Sequence, residues 1–196
     1  MKLVGQLIVL AALVVVISCT SHSFESRLNV ESYFNPDGNY GTYKTYGWVD
    51  YGTTVVLIED GTARKNVVKA VETAMESRGL KKDKMAPDLL IGYHGAVERR
   101  MDQVALQSQY SESGYQIEYG PNDSVDSWEV GTLMLMVFDA RDGMMLWKAT
   151  AQAELDERRV SQSEKRERIE LAVQKMIETL PTSKDVDRAR KQKDLS

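Results

Sequence analysis

Cysteine and histidine are scarce in this sequence of 196 residues, which contains one cysteine, Cys19, and two histidines, His22 and His94. A single thiol cannot form an intramolecular disulfide or a multi-cysteine zinc site. No nucleophile elbow, phosphate-binding loop or metalloprotease helix motif is present either. We therefore predict no catalytic residue, no metal site and no cofactor.

His94 is the one histidine that falls within a predicted strand, and Glu98 lies on the same strand face. A general base needs a positioned partner within hydrogen-bond reach. Residues i and i+4 of a strand are separated by about 13 Å of backbone, so the two side chains do not meet directly. We expect His94 to be a half-exposed strand residue and not a catalytic one.

Long apolar runs are also missing, apart from Leu7–Ile17 near the N-terminus. A membrane-spanning helix needs about 20 apolar residues, so this run is too short to span a bilayer. Lys2 precedes the run and Ser18 follows it, as in a secretory signal peptide. We predict that residues 1–18 are an export signal, cleaved between Ser18 and Cys19.

The four residues Val16–Cys19 resemble the lipobox of bacterial lipoproteins, with an aliphatic residue three positions before the cysteine and a small residue directly before it. The resemblance implies that Cys19 is the lipid attachment site and the mature N-terminus, carrying acyl chains such as palmitate. Two or three chains hold a protein on a membrane, whereas one binds only marginally. The alternative interpretation is a chance thiol in a discarded signal, or a small buried apolar residue.

Thr20 follows the cysteine, where an aspartate would favour retention in the inner membrane of the lipoproteins that this segment resembles. We therefore expect an outer-membrane anchor with the body of the protein in the periplasm. An excess of positive charge is absent too, because the net charge is −4 and removal of Lys2 makes it more negative. This balance disfavours nucleic acid as a partner.

Periodic apolar positions predict both strands and helices. One helix follows a cap at Asp60 or Thr62, and another follows a capping box of Ser161 with Glu164. The strongest strand signal is a hairpin around the turn that contains Asp142–Gly143. Further strands are predicted at Leu28–Phe34, Tyr43–Val49, Asp88–Arg100 and, more briefly, Tyr115–Tyr119.

Several stretches together resemble the bacterial lipoproteins grouped as domain of unknown function 4136: "YKTYGWVD", "PDLLIGYHGAV", "GTLMLMVFDARDGMMLWKATAQAEL" and a final helix ending in "LP". The resemblance runs from about Leu28 to Pro181. It implies a single α+β domain with a mostly antiparallel sheet of about five or six strands and two main helices packed on one face. The family brings no assigned activity, so no catalytic residue is carried over.

We therefore divide the chain into a signal peptide (1–18), a lipidated tether (19–27), an α+β domain (28–181) and a charged tail (182–196) predicted to be disordered. The strand Glu129–Asp139 is apolar on both faces. Val130, Met134, Met136 and Phe138 point one way, whereas Leu133, Leu135 and Val137 point the other way.

Two helices cover only one face of a sheet, and we treat Leu133, Leu135 and Val137 as the candidate ligand or partner face. Three covers are open: residues 101–127 of the chain itself, a partner protein, or an apolar ligand such as a lipid chain. The chain's own segment is preferred because exposed apolar patches are rare in monomers.

The leading functional expectation is a non-enzymatic envelope lipoprotein whose domain contacts another envelope protein. The alternative is a lipid or small-molecule binding module that uses the second apolar face of the sheet. A hydrolase that depends on His94 ranks third.

Overall fold

The computed structural model describes residues 24–50, 58, 60–101, 127–155 and 160–193. Within these ranges six strands form one sheet, accompanied by three helices. The strands are β1 (Asn29–Phe34), β2 (Thr45–Trp48), β3 (Lys81–Lys82), β4 (Leu89–Met101), β5 (Ser127–Asp139) and β6 (Met145–Leu155), and the helices are α1 (Gly61–Ser77), α2 (Gln162–Glu178) and α3 (Ser183–Lys193).

The sheet has the strand order β1-β6-β5-β4-β2-β3. The pairs β1 with β6, β6 with β5, and β5 with β4 are antiparallel, whereas β2 pairs in parallel with both β3 and β4. The predicted α+β class, with a mostly antiparallel sheet of five or six strands, is therefore confirmed. The short strand predicted at Tyr115–Tyr119 lies outside the described residues.

The elements begin and end where local chemistry places them. The Asp60 carboxylate accepts a hydrogen bond from the Thr62 N–H at 2.7 Å, and Ser161 Oγ accepts one from the Glu164 N–H at 3.2 Å. These caps satisfy amide groups that have no partner in the first turn of a helix. Gly143 has a φ of +74°, which suits the turn of the predicted hairpin between β5 and β6.

The core lies between α1, α2 and one face of the sheet, which we call the helix-covered face. Leu135 and Val137 of β5 belong to this face and are fully buried, and Leu133 packs against the same core. In the register, Leu135 lies opposite Ala149 of β6 and Tyr93 of β4. The prediction that Leu133, Leu135 and Val137 form a ligand or partner face is therefore corrected. These odd-numbered residues of β5 point to α1 and α2, which cover them.

The prediction of a disordered C-terminal tail is also corrected, because residues 183–193 form α3. Thr182 donates hydrogen bonds from both its backbone N–H and its hydroxyl to Asp185, which supports the first turn. Val186 is buried, and Arg190 donates to the carbonyl oxygens of Pro36 and Gly38 at 2.6 and 2.9 Å. One buried apolar side chain and one arginine thus attach a strongly charged segment to the domain.

Substitution of two neighbouring residues of β5 tests this assignment of faces. Leu135→Ala is expected to lower the free energy of unfolding by about 2–5 kcal/mol, because it leaves a cavity in the core. Met134→Ala is the matched control on the opposite face and is expected to cost less, since Met134 is only partly buried. Urea unfolding measures both values, and an equal or larger loss for Met134→Ala would contradict the assignment.

Candidate interaction surface

The sheet face opposite α1 and α2, which we call the open face, carries the apolar stripe that the helix-covered face does not use. Met134, Met136 and Phe138 of β5 form this stripe, and each is partly exposed. In the register they lie opposite His94, Gly92 and Leu90 of β4, respectively. The apolar residues on both faces of β5 therefore divide between a buried core and a surface.

Polar side chains border the stripe on its β6 side. β6 contributes Lys148, Thr150 and Gln152, and Gln152 Nε2 donates to Thr132 Oγ1 of β5 at 3.2 Å. On β1, Glu31 lies opposite Thr150 and Tyr33 lies opposite Lys148, and Tyr33 is 56% exposed. The open face thus has an apolar stripe next to a polar strip, and protein interfaces likewise combine an apolar core with a polar rim.

His94 is exposed on the open face, where the register places it opposite Met134. Glu98 lies farther along the same strand, opposite Val130. His94 and Glu98 therefore lie on the same face of β4, four positions apart along the strand, as the sequence predicted. Among the described residues, no group of three or more His, Cys, Asp or Glu side chains is placed to hold a metal ion.

A second surface feature lies where the chain enters the domain. Phe24 is 5% exposed, and its ring lies 5.1 Å from the guanidinium carbon of Arg168 on α2. The Glu25 carboxylate pairs with the Lys175 ammonium at 2.8 Å, and this hydrogen bond raises the pKa of Lys175. We call these four residues the N-terminal clip.

The clip changes the domain boundary drawn from the sequence. The Arg27 N–H donates to the Phe24 carbonyl and the Leu28 N–H to that of Glu25, so this segment forms a turn directly before β1. The predicted tether of residues 19–27 therefore ends before Phe24, and the packed domain begins there. The signal available in the sequence was Phe24 itself, which is the one apolar residue between Thr20 and Arg27.

An open groove of about 420 Å³ lies beside the clip, between β1 and α2. Its walls are Glu25, Leu28, Val30, Lys175, Glu178 and Thr179. Charges of both signs line the groove, and Lys175 is already paired with Glu25. The groove and the clip therefore form one ion-paired edge of the domain.

The most strongly perturbed carboxylate, Asp139, lies at the end of β5 and is 2% exposed. Arg141 donates to it through Nε at 3.0 Å and Nη2 at 2.6 Å, the Arg141 N–H donates at 2.9 Å, and the Tyr43 hydroxyl donates at 2.8 Å. Chiefly because of the Arg141 side chain, the pKa of Asp139 lies well below its ordinary value.

The Asp88 carboxylate, directly before β4, also accepts several hydrogen bonds. Its Oδ2 accepts from the backbone N–H groups of Lys44 and Thr45 at 2.8 and 2.9 Å and from the Thr45 hydroxyl at 3.0 Å. These bonds, that of Lys44 above all, lower the pKa of Asp88. Asp88 and Asp139 thus join loops to the sheet, and the sequence analysis did not single out either residue.

The predicted lipid attachment site Cys19 and cleavage residue Ser18 lie outside the described residues. No helix in the described part of the chain is both long and apolar enough to cross a membrane.

The fold and the surface define a small α+β protein with one open mixed sheet. The family model for the domain of unknown function DUF4136 matches residues 30–182, and the chain belongs to that family. No curated protein matches the sequence.

Three solved structures are similar to this chain at TM-scores below 0.5. A PDZ domain protein from Parabacteroides distasonis is 15% identical with a TM-score of 0.49; the match covers 80% of this chain but only 37% of that one, so this chain spans little more than a third of it. The PelC dodecamer from Paraburkholderia phytofirmans is 14% identical with a TM-score of 0.46, and the match covers 79% of this chain and 98% of that one. A DUF330 protein from Xanthomonas campestris is 10% identical with a TM-score of 0.33, covering 84% and 96%.

Replacement of Asp139 by Asn tests whether this carboxylate stabilises the fold. The variant is expected to lose about 2–3 kcal/mol at pH 7, because an amide cannot accept all the bonds from Arg141 and Tyr43. A carboxylate with a lowered pKa in the folded protein stabilises it above the unfolded-state pKa of about 3.9, and the contribution declines as the pH falls towards the lower folded-state pKa. The difference between wild type and variant should therefore shrink below about pH 4.

Urea unfolding at pH 7 and at pH 3 measures this difference. Asp142→Asn in the same turn is the control, since the amide oxygen can still accept from the Met144 N–H. A stability difference for Asp139→Asn that stays constant between the two pH values would contradict the role assigned to the charge.

Proposed function

We propose that this protein is a bacterial lipoprotein, anchored by Cys19 in the outer membrane, whose periplasmic domain binds another envelope protein and performs no catalysis. The lipobox-like Val16–Cys19 and the preceding apolar run Leu7–Ile17 support the anchor. The family assignment supports an unassigned biochemical role.

The observation that carries the contact function is the open face of the sheet. Its centre is a stripe of two methionines and a phenylalanine, and methionine and aromatic side chains are enriched at protein interfaces. Tyr33 stands exposed at the border of the stripe, next to Lys148 in the register. A surface of partly exposed apolar strand residues beside polar ones suits a folded protein partner better than a small molecule, which usually binds in a concave site.

The alternative function, a lipid-binding or small-molecule module, places its ligand on Leu133, Leu135 and Val137. Those residues pack in the core beneath α1 and α2. Asp139 accepts donors from its own chain on both carboxylate oxygens, and Asp88 accepts three on Oδ2. Burial of the three apolar residues favours the contact function over ligand binding at that face. The hydrogen bonds of Asp88 and Asp139 support a structural role for both carboxylates.

Lipid labelling tests the anchor. Cells that express the full chain and are grown with radiolabelled palmitate should yield labelled protein in the outer-membrane fraction, because Cys19 carries the acyl chains. Cys19→Ala removes the only thiol of the chain and should abolish the label. Unlabelled wild-type protein, or uncut protein recovered from the cytosol, would contradict the anchor.

Site-specific photocrosslinking in intact cells tests the contact surface. A photoreactive phenylalanine analogue in place of Tyr33 on the open face should give a discrete crosslinked protein. The matched control is the same analogue in place of Lys69, which is exposed on α1. Equal adducts from both positions would contradict a contact through the open face, and turnover of an envelope substrate by the purified protein would contradict the non-enzymatic proposal.

A further inference from the structure

We infer that the edge of the domain formed by β1, α2 and the N-terminal clip faces the lipid headgroups of the membrane, with the β3 edge directed away from it. This inference rests on the proposed acylation of Cys19. It adds an orientation that the anchor alone does not give.

The first step is the length of chain between the anchor and the clip. Five Cα–Cα steps separate Cys19 from Phe24. Even fully extended, they span no more than about 18 Å, whatever their conformation. Phe24 is buried against Arg168, so the anchored cysteine stays within that distance of α2.

The second step compares this reach with the size of the domain. A domain of this length has a radius of gyration of about 15 Å, which corresponds to a diameter of about 40 Å. The β3 strand lies five strand spacings from β1, or about 24 Å across the sheet. The anchor therefore cannot lie beneath the β3 edge while the clip is closed.

The third step concerns the chemistry of the edge that faces the membrane. Two ion pairs lie within this edge, Lys175 with Glu25 and Arg168 with Glu164, the latter at 2.8 Å. Such a surface suits the polar headgroup layer, because burial of these ion pairs in acyl chains would be costly. The occupant of this edge is thus the headgroup layer of the membrane that holds the acyl chains.

Energy transfer to a membrane dye tests this orientation in the full-length lipidated protein. Gln174→Cys places a donor dye on exposed α2 beside Lys175, and Met85→Cys places it just beyond β3, where Met85 is 93% exposed. An acylated Cys19 does not react with a maleimide, so only the introduced cysteine takes the dye. The protein is bound to the outside of vesicles of phosphatidylethanolamine and phosphatidylglycerol that contain rhodamine-labelled phosphatidylethanolamine.

The donor at position 174 should lose most of its emission on vesicle binding, whereas the donor at position 85 should retain most of its emission. A Gly/Ser linker of about 20 residues inserted between Thr20 and Ser21 spans about 25 Å and should remove most of this difference. Phe24→Ala should reduce the difference as well, whereas Lys69→Ala, at an exposed position on α1, should leave it unchanged. Circular dichroism confirms that each variant is folded.

Equal quenching at the two positions in the unmodified protein would overturn the inference. So would a difference between them that survives the linker, because the short connection would then not set the orientation. Absence of palmitate on Cys19 is a separate result, and it would overturn the proposed anchor itself. Palmitate labelling with equal quenching would overturn only the orientation.

Discussion

The close approach of two helices to one face of the sheet depends on the small side chains of β6. Ala149 and Ala151 are buried beneath the helices, and they alternate with Lys148 and Thr150, which point to the open face. An alanine adds little height to the sheet surface, so the longer residues of α1 and α2 can reach the backbone beneath them. Trp147, fully buried at one end of this row, donates from Nε1 to Thr179 Oγ1 at 3.3 Å, directly after the end of α2.

Arg78 links the two helices that cover the sheet. It ends α1, and its guanidinium donates to the carbonyl oxygens of Ile177 and Leu180 at 2.7 and 2.8 Å. Ile177 lies in the last turn of α2 and Leu180 lies two residues beyond its end, so Arg78 binds one carbonyl group of the helix and one of the segment that follows it. One side chain thereby joins the C-terminal ends of the two helices that cover the core.

The sequence predicts the elements well because their signals are local. Asp142–Gly143 and the alternation along β6 define the hairpin, and Ser161 with Glu164 defines the start of α2. The choice of the covered face on β5 is not local. Leu135 and Met134 are both apolar. Which of them is buried depends on the sheet face against which α1 and α2 pack, and that face is set by the alanines of the neighbouring strand β6.

The same limit applies to the two ends of the domain. Val186 and Phe24 each lie in a short polar segment, where composition alone favours disorder. A single apolar residue reveals packing only when its partner is known, and the partners are distant in sequence: Arg168 for Phe24, and the Pro36–Gly38 loop for α3. The prediction for Cys19, by contrast, rests on four adjacent residues, since a peptidase recognition motif is itself local.

In the proposed lipid-anchored protein, the strength of the N-terminal clip decides how short the connection to the membrane stays. Burial of a phenylalanine side chain contributes about 1.5–3 kcal/mol, and an arginine over its ring adds about 0.5–1 kcal/mol. The exposed pair of Glu25 and Lys175 adds little, because solvent screens it. Ordering the four residues Phe24–Arg27 costs entropy that offsets part of this gain.

A net preference of about 1.4 kcal/mol would keep the clip closed roughly ten times as often as open. Release of the clip would move the attachment point from Phe24 to Leu28, which nearly doubles the chain length from Cys19. In the proposed lipid-anchored protein, Phe24 therefore controls how far the domain can move from the bilayer. The proposed acylation of Cys19 fixes only the other end of that connection.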